Sequence, residues 1–210
     1  MKFEELLAAV GDEPIFETGL LLVGDVDPAD VRRQLSRWVK SGRLLQLRRG
    51  LYALAPPFQK KIPHPFLVAN RLVRGSYVSL QSALAHYGLI PEGVHAVTSV
   101  TPGRPLTFVT PLGRYKYRHL KPSLLRGYSL SAVGGGQEAY LATPEKALLD
   151  LVYLTPEGDA PAYLRELRLQ NLEILRPEEL SRYAVGPKLR RAVECVLRLR
   201  AEESEGFVKL

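Results

Sequence analysis

Between Asp27 and Leu54 the apolar positions change their period partway along. Val31, Leu35, Trp38 and Val39 recur at i, i+4, i+7 and i+8, the spacing of one buried helix face. Asp27 is placed to cap that helix and Pro28 to begin it, with Asp30 near the positive end of the helix dipole. Gly42, after Ser41, supplies the stop, so a helix is predicted from about Pro28 to Ser41. The runs "RLLQL" and "LYAL" then flank "RRG", short β-prone segments around a tight turn containing glycine, which is the sequence form of a hairpin. Upstream, "KFEELLAAV" predicts a first helix with Phe3, Leu6, Leu7 and Val10 inward, and "PIFETGLLLVG" is expected to carry a second, its run Leu20 to Val23 in the core. Helix, glycine and two-stranded ribbon in that order predict a winged helix-turn-helix over residues 1–58.

The stretch "APPFQKKIPHP", residues 55–65, has four prolines and no periodicity, and reads as a linker. Beyond it the patterns give helices at "FLVANRLV" and "YVSLQSALAHYG", the latter with Leu80, Ala83, Leu84 and Tyr87 inward. Strands follow at "HAVTSVT", across "LTFVTPLGRYKYRHL" with a turn at "TPLG", and at "GYSLSAV", which "GGGQ" separates from "EAYLA". Thr143 and Pro144 then open the helix "TPEKALLDLVYL". The tail is a series of helices with Ala192, Val193, Val196 and Leu197 spaced to pack on the sheet, and "SEGFVKL" is expected to fray. The fold class is therefore α+β, with a second domain over 62–205: a sheet region at 64–155, expected to be antiparallel, and a helical tail at 160–203.

Charge changes this picture more than composition does. Residues 1–30 hold one cation and eight acids, residues 31–137 hold seventeen cations and the single acid Glu92, and residues 138–210 hold eleven cations and thirteen acids. Such a long basic segment repels itself unless an anionic partner uses it, and nucleic acid is the first candidate. No apolar run approaches the roughly 20 residues of a membrane helix and the N-terminus is too acidic for a signal peptide, so no membrane partner is expected. A cytoplasmic protein is expected.

Catalytic and metal chemistry find little support. Cys195 has no second cysteine to pair with and reads as an inert buried thiol. His64, His86, His95 and His119 are scattered without ligand spacing, so no metal or cofactor is expected. The glycines at 134–136 lack the lysine and hydroxyl residue of a phosphate loop and read as a hairpin tip. Glu145 and Asp150, five apart on one helix, do not face one substrate. The chain is expected not to be an enzyme.

The basic residues, by contrast, are placed in a pattern. Opposite the stripe of Val31, Leu35, Trp38 and Val39, a helix presents Arg33, Ser36, Arg37 and Lys40, with Arg32 on the flank. Arginine can read guanine bidentately in a major groove while lysine neutralises phosphate, and Arg48 and Arg49 at the ribbon tip are expected to reach the adjacent backbone or minor groove. The alternative is a solubilising basic face. In "RYKYRHL" a strand would gather Arg114, Lys116 and Arg118 on one side, a possible second phosphate or partner surface that Arg104, Lys121 and Arg126 extend. A runner-up reading gives this C-terminal basic region to RNA binding or modification and the winged helix to protein contacts, although the wing carries few aromatics suited to stacking on single strands.

Five stretches, "LSRWVKSGRLLQLRRGLYAL", "GSYVSLQSALAHYGLIPE", "VTSVTP", "TPLGRYKYRHLKP" and "ATPEKALLDLVYL", together resemble the AbiEi-type antitoxins of type IV toxin-antitoxin systems, from about Asp27 to Leu154. The resemblance implies a winged helix that represses its own operon at inverted repeats in double-stranded DNA, and a C-terminal antitoxin domain. It implies a functionally linked nucleotidyltransferase-like toxin without a stable complex. By position it places the recognition role on Arg33, Ser36 and Arg37 and the wing role on Arg48 and Arg49. A preformed dimer and monomers binding cooperatively both remain compatible with it.

Overall fold

A computed structural model describes residues 1–22, 26–91, 93 and 95–208, the side chains of 204–208 excepted. Helix α1 spans Phe3–Val10 and buries Phe3, Leu6 and Val10. Strand β1, Phe16–Glu17, leads into a 3₁₀ turn at Thr18–Leu21. This corrects the expected second helix: Phe16 and Glu17 are held extended by pairing with Tyr52 and Leu51, and only a single turn follows. Of the run expected in the core, Leu21 is buried while Leu20 and Leu22 are exposed; Val23 lies outside the described residues.

Helix α2 runs Pro28–Lys40, with the Asp27 side chain accepting from the Ala29 N–H at 2.8 Å. Val31, Leu35 and Trp38 are buried and Val39 is half-buried. Phe3 packs edge-on to Trp38 at 5.3 Å and to Phe58 at 4.9 Å, so both ends of the segment 1–58 close over the same aromatic cluster. Strands β2, Leu44–Arg48, and β3, Leu51–Leu54, pair antiparallel, with β1 on the far side of β3.

The hairpin is covered on both faces. Leu44, Tyr52 and Leu54 belong to the cluster built around α1 and α2. Leu47 and Leu51, with half-buried Leu45, belong to the larger cluster of the remaining chain. Cross-strand partners Leu44 and Leu54 share one face and Leu45 and Ala53 the other, so ordinary strand alternation serves two cores at once.

After the linker come α3, Pro65–Leu72, β4, Tyr77–Val78, and α4, Leu80–His86. Strands β5, Val97–Thr101, β6, Leu106–Thr110, β7, Gly113–His119, β8, Tyr128–Gly134, and β9, Gln137–Ala142, follow. Helix α5 spans Pro144–Leu154. The tail consists of α6, Pro161–Glu166, α7, Pro177–Tyr183, and α8, Gly186–Val208. The fraying expected after Ser204 is not what the backbone does: α8 continues to Val208, and 209–210 lie outside the described residues. Cys195 is half-buried rather than buried.

The sheet order is β6-β7-β5-β4-β9-β8, and the sheet is mixed, which corrects the antiparallel expectation. Strand β7 inserts between β5 and β6, so it is antiparallel to β6 and parallel to β5. Strand β4 is parallel to β9 through the pair Val78 and Leu141. Two residues are too few to display alternation, which is why β4 is invisible in the sequence pattern. Tyr115 and Tyr117 point into the core while Arg114, Lys116 and Arg118 are exposed, as alternation predicts. Burial pushes the Tyr115 phenol up to about 12 and the Tyr117 phenol upward as well, so both are neutral packing groups.

Helix α5 is fixed by polar groups on its buried side. Asp150 pairs with Lys146 one turn earlier and accepts from the Tyr77 hydroxyl at 3.0 Å and the Ser79 hydroxyl at 2.8 Å, tying α5 to β4. Burial pushes Asp150 up and Lys146 down, each opposed by its partner. Glu145 accepts from the Arg176 backbone N–H at 3.0 Å and its Nε at 3.2 Å, joining α5 to the segment that opens α7. The two carboxylates therefore have separate structural partners. Lys146→Met should lower stability by about 3–5 kcal/mol, because Asp150 keeps its burial and loses its counter-charge. The loss should grow as pH rises above the usual carboxylate range, and adding Asp150→Leu should recover part of it; urea unfolding at several pH values reads both.

The linker is also fastened. Gln137 accepts from the His64 backbone N–H at 2.8 Å and donates to the Ile62 carbonyl at 2.9 Å. His64 caps α3, its Nδ1 accepting from the Phe66 N–H at 3.2 Å, which requires that nitrogen to be unprotonated. Burial, with His86 adding to it, holds the His64 pKa below the ordinary imidazole value. The folded chain then takes up this proton less readily than the unfolded one. The contribution is complete above the unfolded value of about 6.5 and is lost as pH falls through it toward the folded one. His64→Asn keeps a cap acceptor and should flatten the pH dependence of the urea midpoint in that window.

Candidate nucleic-acid interface

The side of α2 turned away from Trp38 stays open. Arg32, Arg33, Ser36, Arg37 and Lys40 are all exposed, and the second half of the chain does not cover them. Arg33 is not free of partners: it pairs with Asp30 one turn earlier, though its side chain remains 67% exposed. An exposed pair of this kind contributes at most about 1 kcal/mol, so exchanging the carboxylate for another anion is inexpensive. Arg32 donates from Nε to the Pro28 carbonyl at 2.9 Å.

The hairpin tip divides its two arginines. Arg49 is exposed and lines a cleft of about 460 Å³ with Arg32, Pro28 and Tyr52, so one cation comes from each wall. Gly50, at φ +83°, permits the turn. Arg48, expected beside Arg49 at an outward tip, turns inward instead. The ladder slips between Gln46 and Arg48, and the side chain becomes half-buried, with Nη2 donating to the Arg71 carbonyl at 3.4 Å and Nη1 to the Arg49 carbonyl at 3.2 Å. Arg71 lies in the last turn of α3, where carbonyls lack helical partners and the dipole favours a cation. Nearby, Arg74 pairs with Glu17 at 2.6 Å. These contacts hold β1 and the hairpin against the end of α3.

The six residues of the second basic group do not form one surface. Arg114, Lys116 and Arg118 share an open face of β7, and Arg118 donates to the Leu154 carbonyl at the end of α5. Arg104 and Lys121 are exposed just beyond the ends of β5 and β7. Arg126 precedes β8, at the opposite edge of the sheet. Among the described residues, no group of three or more His, Cys, Asp or Glu could hold a metal, and no helix is long and apolar enough to cross a membrane.

Helix α2 and the β2–β3 hairpin are also the segment that a known family model matches. Residues 26–55 match the family model of AbiEi antitoxin transcriptional regulators. The AbiEi match begins just before the Asp27 cap and ends just after β3, so it covers the helix and hairpin as one unit. It bears out the resemblance over the first of the five stretches. No curated protein matches the chain. In three dimensions the chain is similar to the crystal structure of the RV2827C protein from Mycobacterium tuberculosis, with 18% identity, a TM-score of 0.53, and coverage of 92% of this chain and 76% of that one. At that identity the likeness is one of fold.

Sequence reasoning identified the exposed face of α2 and missed the seam behind the hairpin. The Asp30–Arg33 pair was visible as an acid three residues before a cation. The inward turn of Arg48 was not, since its acceptor is a carbonyl 23 residues away. Arg48→Met should lower unfolding free energy by about 1 kcal/mol through loss of these bonds, while Arg49→Ala should leave it unchanged. Urea titration of the two variants distinguishes an inward arginine from an outward one.

Proposed function

We propose that this chain is a non-enzymatic, sequence-specific DNA-binding repressor. In this reading residues 1–58 act as a winged helix-turn-helix and 62–205 as an AbiEi-like antitoxin domain. The observation that carries it is the open side of α2: three arginines, a lysine and a serine on one exposed face, fixed in direction by a buried tryptophan. Arg33, Ser36 and Arg37 read base edges in the major groove and Lys40 neutralises phosphate. Arg32 and Arg49, on the two walls of the cleft beside the helix, grip the backbone. The AbiEi match over this same segment supports a regulator role; in this reading the chain also autoregulates a toxin-antitoxin operon at an inverted repeat.

Arg48 enters this reading as a positioning residue, holding the hairpin against α3 so that Arg49 meets the duplex. Arg104, Arg114, Lys116, Arg118 and Lys121 offer a further phosphate-contacting surface.

The log of the association constant should fall with log salt at a slope of about −0.9 per phosphate neutralised. Arg33→Ala and Arg37→Ala should each cost about 1–3 kcal/mol of discrimination between operator and random duplex, while Lys40→Ala weakens both nearly equally. Fluorescence anisotropy with operator and scrambled duplexes over a salt series measures all of these. An unchanged specificity ratio in both arginine variants would overturn the assignment of the recognition helix.

A further inference from the structure

Strand β8 is an edge of the six-stranded sheet, and over its seven residues the outer rim of the backbone has no strand beside it among the described residues. Edge strands in proteins that stay single are blunted by lysine, proline or bulges, because an open row of amide groups is a template for another strand. This edge is hardly blunted. Gly127–Gln137 contains no charged residue and no proline, in a chain that is 24% charged, and the only irregularity falls at the Ala132–Gly134 end. The strand is also apolar where it is open. Leu130 is 51% exposed, its cross-strand partner Tyr140 48% and Tyr128 39%, and these three stand on one face.

The charges that flank the strand select its occupant. Arg126 lies just before β8, and Glu138 lies beside its far end, across from Ala132 on β9. Both are exposed, and neither side chain has an ion-pair partner among the described residues. Two identical strands meeting edge to edge about a twofold axis run antiparallel. That arrangement brings the Arg126 end of each strand alongside the Glu138 end of the other copy, twice, while the uncharged middle lets two molecules of net charge +7 approach. The opposite edge of the sheet behaves differently. Strand β6 also lacks charge, but Arg104, Arg114 and Lys116 surround it, so a second copy there would set cation against cation.

We infer that β8 is a self-association edge: two copies of this chain pair antiparallel through β8, joining their sheets into one and setting Leu130 and Tyr128 beside the partner's β8 side chains. The pairing closes on itself, because each copy spends its β8 edge in the dimer and β6 is protected by like charge. It stands independently of what α2 recognises, and its test contains no DNA.

The mass of the full chain in solution tests it, by sedimentation equilibrium over a concentration series. Wild type should approach twice 23.4 kDa. Leu130→Lys, at a half-exposed position, should reduce the mass to that of one copy, and Val109→Lys on β6 should leave the dimer intact. Arg126→Glu alone should weaken dimerisation and Arg126→Glu with Glu138→Arg should restore it, which a merely misfolded variant does not do. A wild type of single-copy mass at every concentration overturns the inference and leaves the edge to a different partner. It also fails if Leu130→Lys dimerises like wild type, if Val109→Lys is the variant that dissociates, or if the double reversal does not restore the dimer.

Discussion

The constraint on which the structure rests is the two-sided burial of the β2–β3 hairpin. A strand shows successive side chains to opposite faces, and here both faces are apolar. Leu44, Tyr52 and Leu54 close the small core of α1 and α2, while Leu47 and Leu51 close the large one. Fully burying an aliphatic side chain of this size is worth about 1.5–3 kcal/mol. A change at the hairpin therefore acts on two cores together. The linker does not separate the halves of the chain in space, because the element before it is already shared between them.

That sharing fixes what the candidate interface can be. A hairpin covered on both sides presents only its turn, so Arg49 is outward, and Arg48 is used to fasten the hairpin to the end of α3. The exposed side of α2 keeps its direction because Phe3 and Trp38 clamp the helix from behind. The cations of α2 thus sit on a unit tied through Arg48, Glu17 and Arg74 to the end of α3, which packs on β9 of the six-stranded sheet. The open edge at β8 lies at one end of that sheet.

The interior of the second half follows a different rule. Asp150, Lys146, Tyr77 and Ser79 form a connected polar group inside an apolar core, and each group offsets the desolvation of the next. They pin α5 to the two-residue strand β4, which has too little backbone pairing to be held by its ladder alone. Glu145 does the same for the start of α7. Acids that look like candidates for chemistry in the sequence are in this fold the fasteners of a helix.

Much of this was determined by sequence alone. The start and direction of α2, its buried stripe and exposed cations, the hairpin, the alternation in β7 and the capped start of α5 rest on interactions within a few residues. Caps, periods and tight turns are local, so neighbouring letters carry them. Tertiary structure decided the rest. It turned the expected second helix into a strand and a 3₁₀ turn, inserted β7 between β5 and β6, and placed two-residue β4 at the centre of a mixed sheet. It also drew Arg48 inward and separated Arg126 from the other basic residues. Each of these depends on a partner many residues distant, brought near by packing of the whole chain, and no spacing in the sequence records which partner that is.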